Sequence, residues 1–211
     1  MRSPALRSRW SIHSTPLMKQ IFGRRVFDTM TNAFLHGDKI GLRSVCRDDL
    51  AHYAMWLDNA EVTHLLEMGA RPTRESDGEA FWKLANETED AVVFIIESLE
   101  TSQPVGTCGL YLISPISRRA QLNILLGVPS VWDKGFGSEA TMLLLEYGFA
   151  KLNLNSIQLG VNAENKRAIR TYEKCGFVHE GVRRQFVYRN KRYYDTVMMS
   201  VLRDEFLDTA P

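Results

Sequence analysis

Two glycines lie directly before an apolar, helix-like run, in the segment Trp132-Asp133-Lys134-Gly135-Phe136-Gly137-Ser138. Glycine lets the backbone approach a ligand closely, and the unpaired amides and the dipole of a helix N-terminus favour an anion. The segment therefore predicts a phosphate-binding loop, which we call the glycine loop (residues 132–138). A short glycine motif alone is weak evidence, because glycine at the start of a helix can also serve packing only.

The glycine loop also fits the dinucleotide pattern G-x-G-x-x-A, through Gly135, Gly137 and Ala140. In a dinucleotide-binding fold the first glycine follows its strand directly and the motif opens a parallel sheet. Here residues 129–134 intervene and three strand-like runs with short turns come first. The loop also lacks the Lys-Ser/Thr pair of nucleoside triphosphatases. A dinucleotide-dependent oxidoreductase is therefore a distant alternative.

A second motif follows the glycine loop, and it reads Asn165-Lys166-Arg167-Ala168-Ile169-Arg170-Thr171-Tyr172-Glu173-Lys174-Cys175-Gly176-Phe177. Helical spacing places Asn165, Ala168 or Ile169, and Tyr172 on one face. In their order and separation the two motifs resemble the GNAT family of N-acetyltransferases. That family has a (Gln/Arg)-x-x-Gly-x-(Gly/Ala) loop for pyrophosphate and an Asn-x-x-(Ala/Ser)-x-x-x-Tyr-x-x-x-Gly-Phe stretch. The resemblance covers residues 38–206.

Three further runs are most similar to the spermidine and ribosomal-protein N-acetyltransferase branches of that family. They are Arg118-Arg119-Ala120-Gln121, Tyr147-Gly148-Phe149 and Leu152-Asn153-Leu154. Two positions depart from the family pattern. Trp132 stands where many members have Gln or Arg, which removes a side-chain donor to the phosphates but leaves the backbone amides. Gln121 stands where polyamine-acetylating relatives commonly have glutamate, which weakens assignment of the acceptor by analogy.

The resemblance implies acetyl-CoA as co-substrate, direct transfer to a primary amine in a ternary complex, and no metal. It implies that Tyr172 is the general acid that protonates the leaving thiolate; from spacing alone, a core aromatic is the alternative. It also implies that the chain around residues 126–128, at the end of the fourth predicted strand, pairs with pantetheine. The cofactor-binding residues that it implies are Leu126, Gly127, Val128, Trp132, Lys134, Gly135, Phe136, Gly137, Ser138, Asn165, Ala168 and Tyr172.

Two carboxylates are candidates for a general base. Glu97 ends an apolar run, where partial burial could raise its pKa, and Glu67 lies in the early helical region that would form a wall of the acceptor site. Both are equally well read as solvated or ion-paired surface acids. The surrounding segment, residues 58–90, contains nine acids against three basic residues. An acidic wall would attract a polyamine, an amino sugar or a protein N-terminus, although a charge run can also be a solvated helix face.

Hydrophobic periodicity predicts the elements that must position these residues. Strands are expected at 39–45, 91–98, 105–114, 119–127 and 156–161. Helices are expected from about 47, as short helices up to about 86, from about 136 and over 164–174. A closing hairpin, 176–188 and 193–202, is expected around Asn190-Lys191. The order of these elements indicates one α/β (α+β) domain. The resemblance implies that it is a single GNAT-like domain with a central, mostly antiparallel, splayed mixed sheet flanked by helices.

Composition narrows the function classes. The 211 residues carry a formal charge of only +1, which disfavours a general nucleic-acid binder. Three dispersed cysteines and five histidines show no metal-ligand spacing or disulfide pattern, and no apolar run is long enough to span a membrane. We therefore expect a cytoplasmic protein with no nucleic acid, membrane or metal among its partners. The resemblance adds a homodimer through the C-terminal strands as an expectation.

Residues 1–29 are rich in Arg and Ser and lack the apolar periodicity of a core segment. We expect a basic N-terminal extension outside the core, followed by the N-acetyltransferase domain over residues 30–211. A targeting segment, a leader and a start site placed too far upstream are alternative interpretations of the extension. For the domain itself, the alternative function is a catalytically weak acyl-CoA-binding regulatory module of the same fold, against which Tyr172 argues.

Overall fold

Eight strands form one sheet in a computed structural model that describes residues 33–209. The strands are β1 Leu35–His36, β2 Ile40–Ser44, β3 Val92–Ser98, β4 Gln103–Ser114, β5 Arg119–Leu126, β6 Ser156–Asn162, β7 Val178–Arg189 and β8 Arg192–Leu202. The helices are α1 Asp49–Asp58, α2 Ala60–Thr63, α3 Glu75–Glu87, α4 Phe136–Ala150, α5 Lys166–Lys174 and α6 Arg203–Thr209. The extension predicted at 1–29 lies outside the described residues.

The strand order is β1-β2-β3-β4-β5-β6-β8-β7, and every neighbouring pair is antiparallel except β5 and β6. The parallel pair arises because α4 crosses over between its two strands. This mixed, mostly antiparallel α+β sheet confirms the predicted fold class. Among residues 33–209, no helix is long and apolar enough to cross a bilayer.

The parallel ladder between β5 and β6 is short. It runs only from Arg119 opposite Ser156 to Gln121 opposite Gln158, and beyond that point the strands separate. The separation confirms the predicted splay and opens a gap in the middle of the sheet. Because α4 begins after the end of β5, its N-terminus lies at the open side of this gap.

Helices cover both faces of the sheet. On one face α4 and α5 pack against a core that includes Leu122, Leu144 and Leu159. On the other face α1 and α3 pack against a second core, with the rings of Tyr53 and Phe81 stacked at 3.9 Å. Side chains alternate along a strand, so even-numbered residues of β5 face the first core and odd-numbered residues face the second.

Some element boundaries differ from the sequence prediction. The helix expected from 164 begins at Lys166, because the side chain of Asn165 caps it and accepts a hydrogen bond from the Ala168 amide (3.1 Å). Strand β1 and helix α6 were not predicted, since two and seven residues are too few to show a hydrophobic period. The hairpin turn at Asn190-Lys191 is confirmed, with both residues left-handed (φ 50° and 66°).

Candidate active site

The gap between β5 and β6 opens into a cleft of about 850 Å³. Its lining comes from the glycine loop, both strands of the gap, α5, the segment that follows α2, and the β7–β8 hairpin. The cleft reaches both faces of the sheet, since Leu122 and Leu125, which belong to opposite cores, both line it. Two molecules could therefore enter from opposite sides and meet in the gap.

The glycine loop ends in a left-handed residue. Gly135 (φ 89°) is the N-cap of α4, a backbone conformation that favours glycine. The ammonium of Lys39 donates a hydrogen bond to the Lys134 carbonyl (2.7 Å) and so helps to hold the loop in place. A Cβ added at Gly137 would meet only Leu126 Cδ1, at an ordinary 3.6 Å, so packing does not require this glycine. The missing side chain instead leaves the first turn of α4 open to the cleft.

The residues of the glycine loop do not all line the cleft. Gly135, Gly137 and Ser138 line the cleft, whereas Lys134 and Phe136 line a neighbouring surface depression. The Phe136 ring is buried in the core, so this residue can offer a ligand only its backbone amide. The unpaired first-turn amides of α4 and the positive end of its dipole suit a phosphate group.

Trp132 supports an arginine over the cleft. Its indole N–H donates to the Leu126 carbonyl (3.0 Å), and the guanidinium carbon of Arg167 lies 4.4 Å above its ring. Arg167 also contacts the exposed Asp133 carboxylate at 3.6 Å. Cation–π stacking orients the guanidinium, and the exposed contact with Asp133 at 3.6 Å neutralises it only weakly. The departure at Trp132 therefore leaves a cation beside the glycine loop, one that the sequence motif did not indicate.

The backbone of β5 presents polar groups to the gap. The Gly127 amide donates to the Val105 carbonyl (2.9 Å), so odd-numbered residues of β5 pair with β4, and Ile124 and Leu126 turn their groups towards β6. The Leu126 carbonyl is already bonded to Trp132, and the Val128 carbonyl accepts from the Val131 amide. Ile124, which was not predicted as a site residue, thus lies beside Leu126 as an extra partner for an extended ligand.

Gly127 is a glycine because of a buried tryptophan. A Cβ at this position would lie 2.0 Å from Cγ of Trp56, whose side chain is 1% exposed. We expect Gly127→Ala to lower the free energy of unfolding by about 3 kcal/mol, since an overpacked core must shift to relieve the clash. Urea denaturation measures this loss. Gly181→Ala is the control, because nothing lies within 4 Å of its added Cβ; equal loss in the two variants would contradict this explanation.

Helix α5 brings the second motif to the cleft. Asn165, Ala168 and Tyr172 all line it, as their helical spacing predicts. The Tyr172 ring packs 5.6 Å from that of Phe177. Burial, with a smaller contribution from Cys175, raises the pKa of Tyr172 to about 12. The phenol therefore stays protonated at neutral pH and can donate a hydrogen bond into the cleft.

The other face of the cleft has a floor of uncharged polar side chains. Its members project from the face of β5, β6 and β8 opposite to α4, and they are Gln121, Asn123, Gln158, Asn162 and Thr196. Among them, the Thr196 hydroxyl is buried without a hydrogen-bond partner in the described residues. The walls are formed by Glu61 of α2, by the segment after α2 with Glu67, and by the β7 residues Phe186 and Val187.

The two predicted base candidates lie in different places. Glu67 lines the cleft. Glu97 is not among the lining residues: its carboxylate accepts from Arg43 Nε (2.8 Å), and Arg43 also pairs with the buried Asp49. The acidic wall expected from composition is also thinner than the count suggests, since Asp77 and Glu79 pair with Arg71 and Arg47. The pattern of apolar residues in the sequence does not show which arginine pairs with each of these acids.

Comparison with known proteins identifies relatives over most of the chain. The family model described as an acetyltransferase (GNAT) domain matches residues 39–178. An uncharacterized N-acetyltransferase, p20, from Bacillus licheniformis is 31% identical over 82% of this chain and 97% of its own length. A spermidine N(1)-acetyltransferase from Escherichia coli is 29% identical over 80% of this chain and 88% of its own length.

A solved structure shows the same architecture. The spermidine N-acetyltransferase from Vibrio cholerae, in complex with CoA and spermine, superposes with a TM-score of 0.73 at 28% identity. The match covers 81% of this chain and 99% of that chain.

Proposed function

This chain belongs to the GNAT family of N-acetyltransferases, and from that premise we propose that it transfers the acetyl group of acetyl-CoA directly to a primary amine. In this reaction a bond forms between the amine nitrogen and the acetyl carbonyl carbon, and the carbon–sulfur bond to CoA breaks. The amine loses one proton and the sulfur leaves as the thiol of CoA. A polyamine is the acceptor that the named relatives favour.

One observation carries the proposal: a single gap joins a phosphate-type loop on one face of the sheet to a polar floor on the other. The glycine loop and α5 would hold acetyl-CoA, while Gln121, Asn162 and the other floor residues would receive the amine. The thioester would then lie in the gap, where both faces meet. Holding both reactants in one cleft removes the entropic cost of a bimolecular encounter.

The residues around the gap fit the parts of CoA. The first-turn amides at Gly137 and Ser138 suit its pyrophosphate, and the backbone of Ile124 and the Leu126 amide suit the amides of pantetheine. Arg167, held over Trp132, replaces the side-chain donor that many relatives have at position 132. Its position at the N-terminus of α5 opposes the helix dipole, and Asp133 offers only an exposed contact at 3.6 Å, so a ligand phosphate would serve as a second anionic partner.

We expect Arg167→Gln to raise the Kd for CoA about tenfold, because a charge-assisted contact to phosphate is lost. Calorimetry on CoA and on phosphate-free acetyl-pantetheine separates this effect from a general distortion of the cleft, since only CoA should bind more weakly. Lys166→Gln is the matched control, an exposed cation one residue earlier that does not line the cleft. Equal weakening of both ligands, or by both variants, would contradict the assignment.

Tyr172 would act at the sulfur. As the carbon–sulfur bond breaks, its protonated phenol can stabilise the charge that develops on sulfur and supply a proton to it. For the amine proton, Glu67 is retained as the candidate base, either directly or through water, because it lines the acceptor face. Glu97 is held by Arg43 and does not line the cleft, so we do not assign it this role.

The acceptor class is testable with purified protein and acetyl-CoA. Spermidine, spermine, an amino sugar and short peptides with free or blocked N-termini are offered together, and the products are identified by mass. We expect acetylated polyamine as the main product, because the named relatives acetylate spermidine and because Glu61 and Glu67 line the cleft and can pair with a cationic amine. If CoA binds but no acceptor is modified, the proposal of an active transferase fails and the alternative of an acyl-CoA-binding regulatory module takes its place.

A further inference from the structure

One arginine gathers the oxygen atoms of a single segment, which we call the acceptor loop (residues 63–70). The guanidinium of Arg189 donates to the carbonyls of Leu66 (3.3 Å), Met68 and Gly69 (3.0 Å) and to the hydroxyl of Thr63 (3.1 Å). None of these four acceptors is charged. The planar guanidinium, with five N–H donors in fixed directions, suits four acceptors spread around it in a way that an ammonium does not.

The acceptor loop has little regular structure of its own. Helix α2 contains only four residues, and the chain then runs without helix or strand to α3. At Gly69 (φ 78°) the loop turns back so tightly that an added Cβ would lie 2.7 Å from the Thr63 side chain. This turn points several carbonyls in one direction, where they would repel each other without a cation. Arg189 supplies that cation.

Arg189 also connects the two walls of the acceptor side. Leu65, Leu66, Glu67 and Met68 line the cleft on one side, within the acceptor loop. Phe186 and Val187, which line the opposite side, lie just before Arg189 on β7. The residue after Arg189 begins the tight left-handed turn into β8, which fixes the direction from which the guanidinium reaches across.

We propose that Arg189 is a positioning residue that holds the acceptor loop, and with it Glu67, in the place where the amine binds. The inference rests on the proposed function, because it assigns the acceptor to this side of the cleft. The side chain itself does not line the cleft and takes no part in the chemistry. Its effect reaches the amine only through the loop that it holds.

Steady-state kinetics of Arg189→Ala test the proposal. We expect the KM for the amine to rise about tenfold, since several charge-assisted hydrogen bonds that order the loop are lost. The KM for acetyl-CoA should stay within about twofold, because the glycine loop and α5 are untouched. Arg189→Lys should restore only a small part of the amine affinity. Arg184→Ala, which removes an exposed arginine of the same strand, should leave both constants unchanged.

Hydrogen exchange gives a second readout that does not depend on turnover. In Arg189→Ala, amides of the acceptor loop should exchange faster, while those of α4 and α5 keep their wild-type rates. An unchanged KM for the amine, or an equal rise in both KM values, would overturn the inference. Loop exchange that Arg189→Ala leaves unchanged would overturn it without reference to activity, whereas a wild-type protein that acetylates no amine would overturn the proposed function instead.

Discussion

Replacing Tyr172 by phenylalanine is expected to lower kcat about 100-fold while the KM for acetyl-CoA changes by no more than about twofold. The ring keeps its contact with Phe177 and its place in the cleft lining, so substrate binding and folding should persist. What is lost is the single phenolic donor that α5 brings to the cleft. Pre-steady-state measurement of CoA release, with calorimetry of CoA binding, separates the two effects.

The pH profile gives this prediction a second arm. Burial raises the pKa of Tyr172 to about 12, so the phenol remains protonated and should produce no loss of wild-type activity below about pH 11. If kcat falls with rising pH below about pH 11, the group that loses its proton must be one other than Tyr172. A fall in wild-type kcat below about pH 11 that is absent from the profile of Tyr172→Phe would contradict this assignment, and so would a kcat that the substitution leaves unchanged.

Arg43→Met is expected to lower the free energy of unfolding by about 3 kcal/mol at neutral pH. Arg43 joins β2 to the start of α1 and to β3, through two hydrogen bonds to Asp49 (both 2.8 Å) and one to Glu97 (2.8 Å). The side chains of Arg43 and Asp49 are only 17% and 4% exposed. Removing the cation leaves two carboxylates in a poorly solvated place, which costs more than the loss of an exposed pair.

The difference in the free energy of unfolding between Arg43→Met and the wild type should become smaller as the pH falls. Desolvation favours protonation of Asp49, but hydrogen bonds from Arg43 and from Cys46 outweigh it and lower its pKa. Its contribution to wild-type stability is therefore complete above about pH 4 and is lost as the pH falls through the folded-state pKa. In the variant, desolvation acts without the cation, so acid relieves the buried charge.

Urea denaturation at neutral pH and near pH 4 measures both parts of this prediction. Arg47→Met is the matched control, because Arg47 pairs with Glu79 at an exposed site and such pairs contribute little. Its effect should be much smaller than that of Arg43→Met. A difference between Arg43→Met and wild type that grows as the pH falls would contradict the assigned role of Asp49.

Local patterns predicted the parts of the site that depend on one segment of chain. The glycine loop and the helical face of Asn165, Ala168 and Tyr172 follow from motifs that act through their own backbone or their own helix, and the splay of the sheet follows from the family resemblance. Strand boundaries were also close, because the alternation of apolar residues is itself the signal. These features need no knowledge of what packs against them.

Contacts between distant segments could not be predicted in this way. Glu97 is a carboxylate at the end of an apolar strand, as a candidate base would be. Its partner Arg43 lies on another strand, so the local sequence does not show that the carboxylate is already paired. Gly127 suggests close approach of a ligand, but the ring of Trp56 in α1 occupies that space. Arg167 did leave a signal, because a cation at a helix N-terminus is unfavourable unless an anion lies nearby, but the sequence does not show whether that anion is Asp133 or a ligand.

Direct transfer moves the acetyl group from acetyl-CoA to an amine bound in the same cleft, with no acetylated protein in between. The most direct test is a quenched reaction of wild-type protein with isotopically labelled acetyl-CoA and spermidine, in which thiol, amine product and intact protein are followed by mass. We expect equal amounts of CoA and acetylated spermidine, with no label on the protein at any time. Label that appears first on the protein, or thiol released without acetylated amine, would contradict the claim.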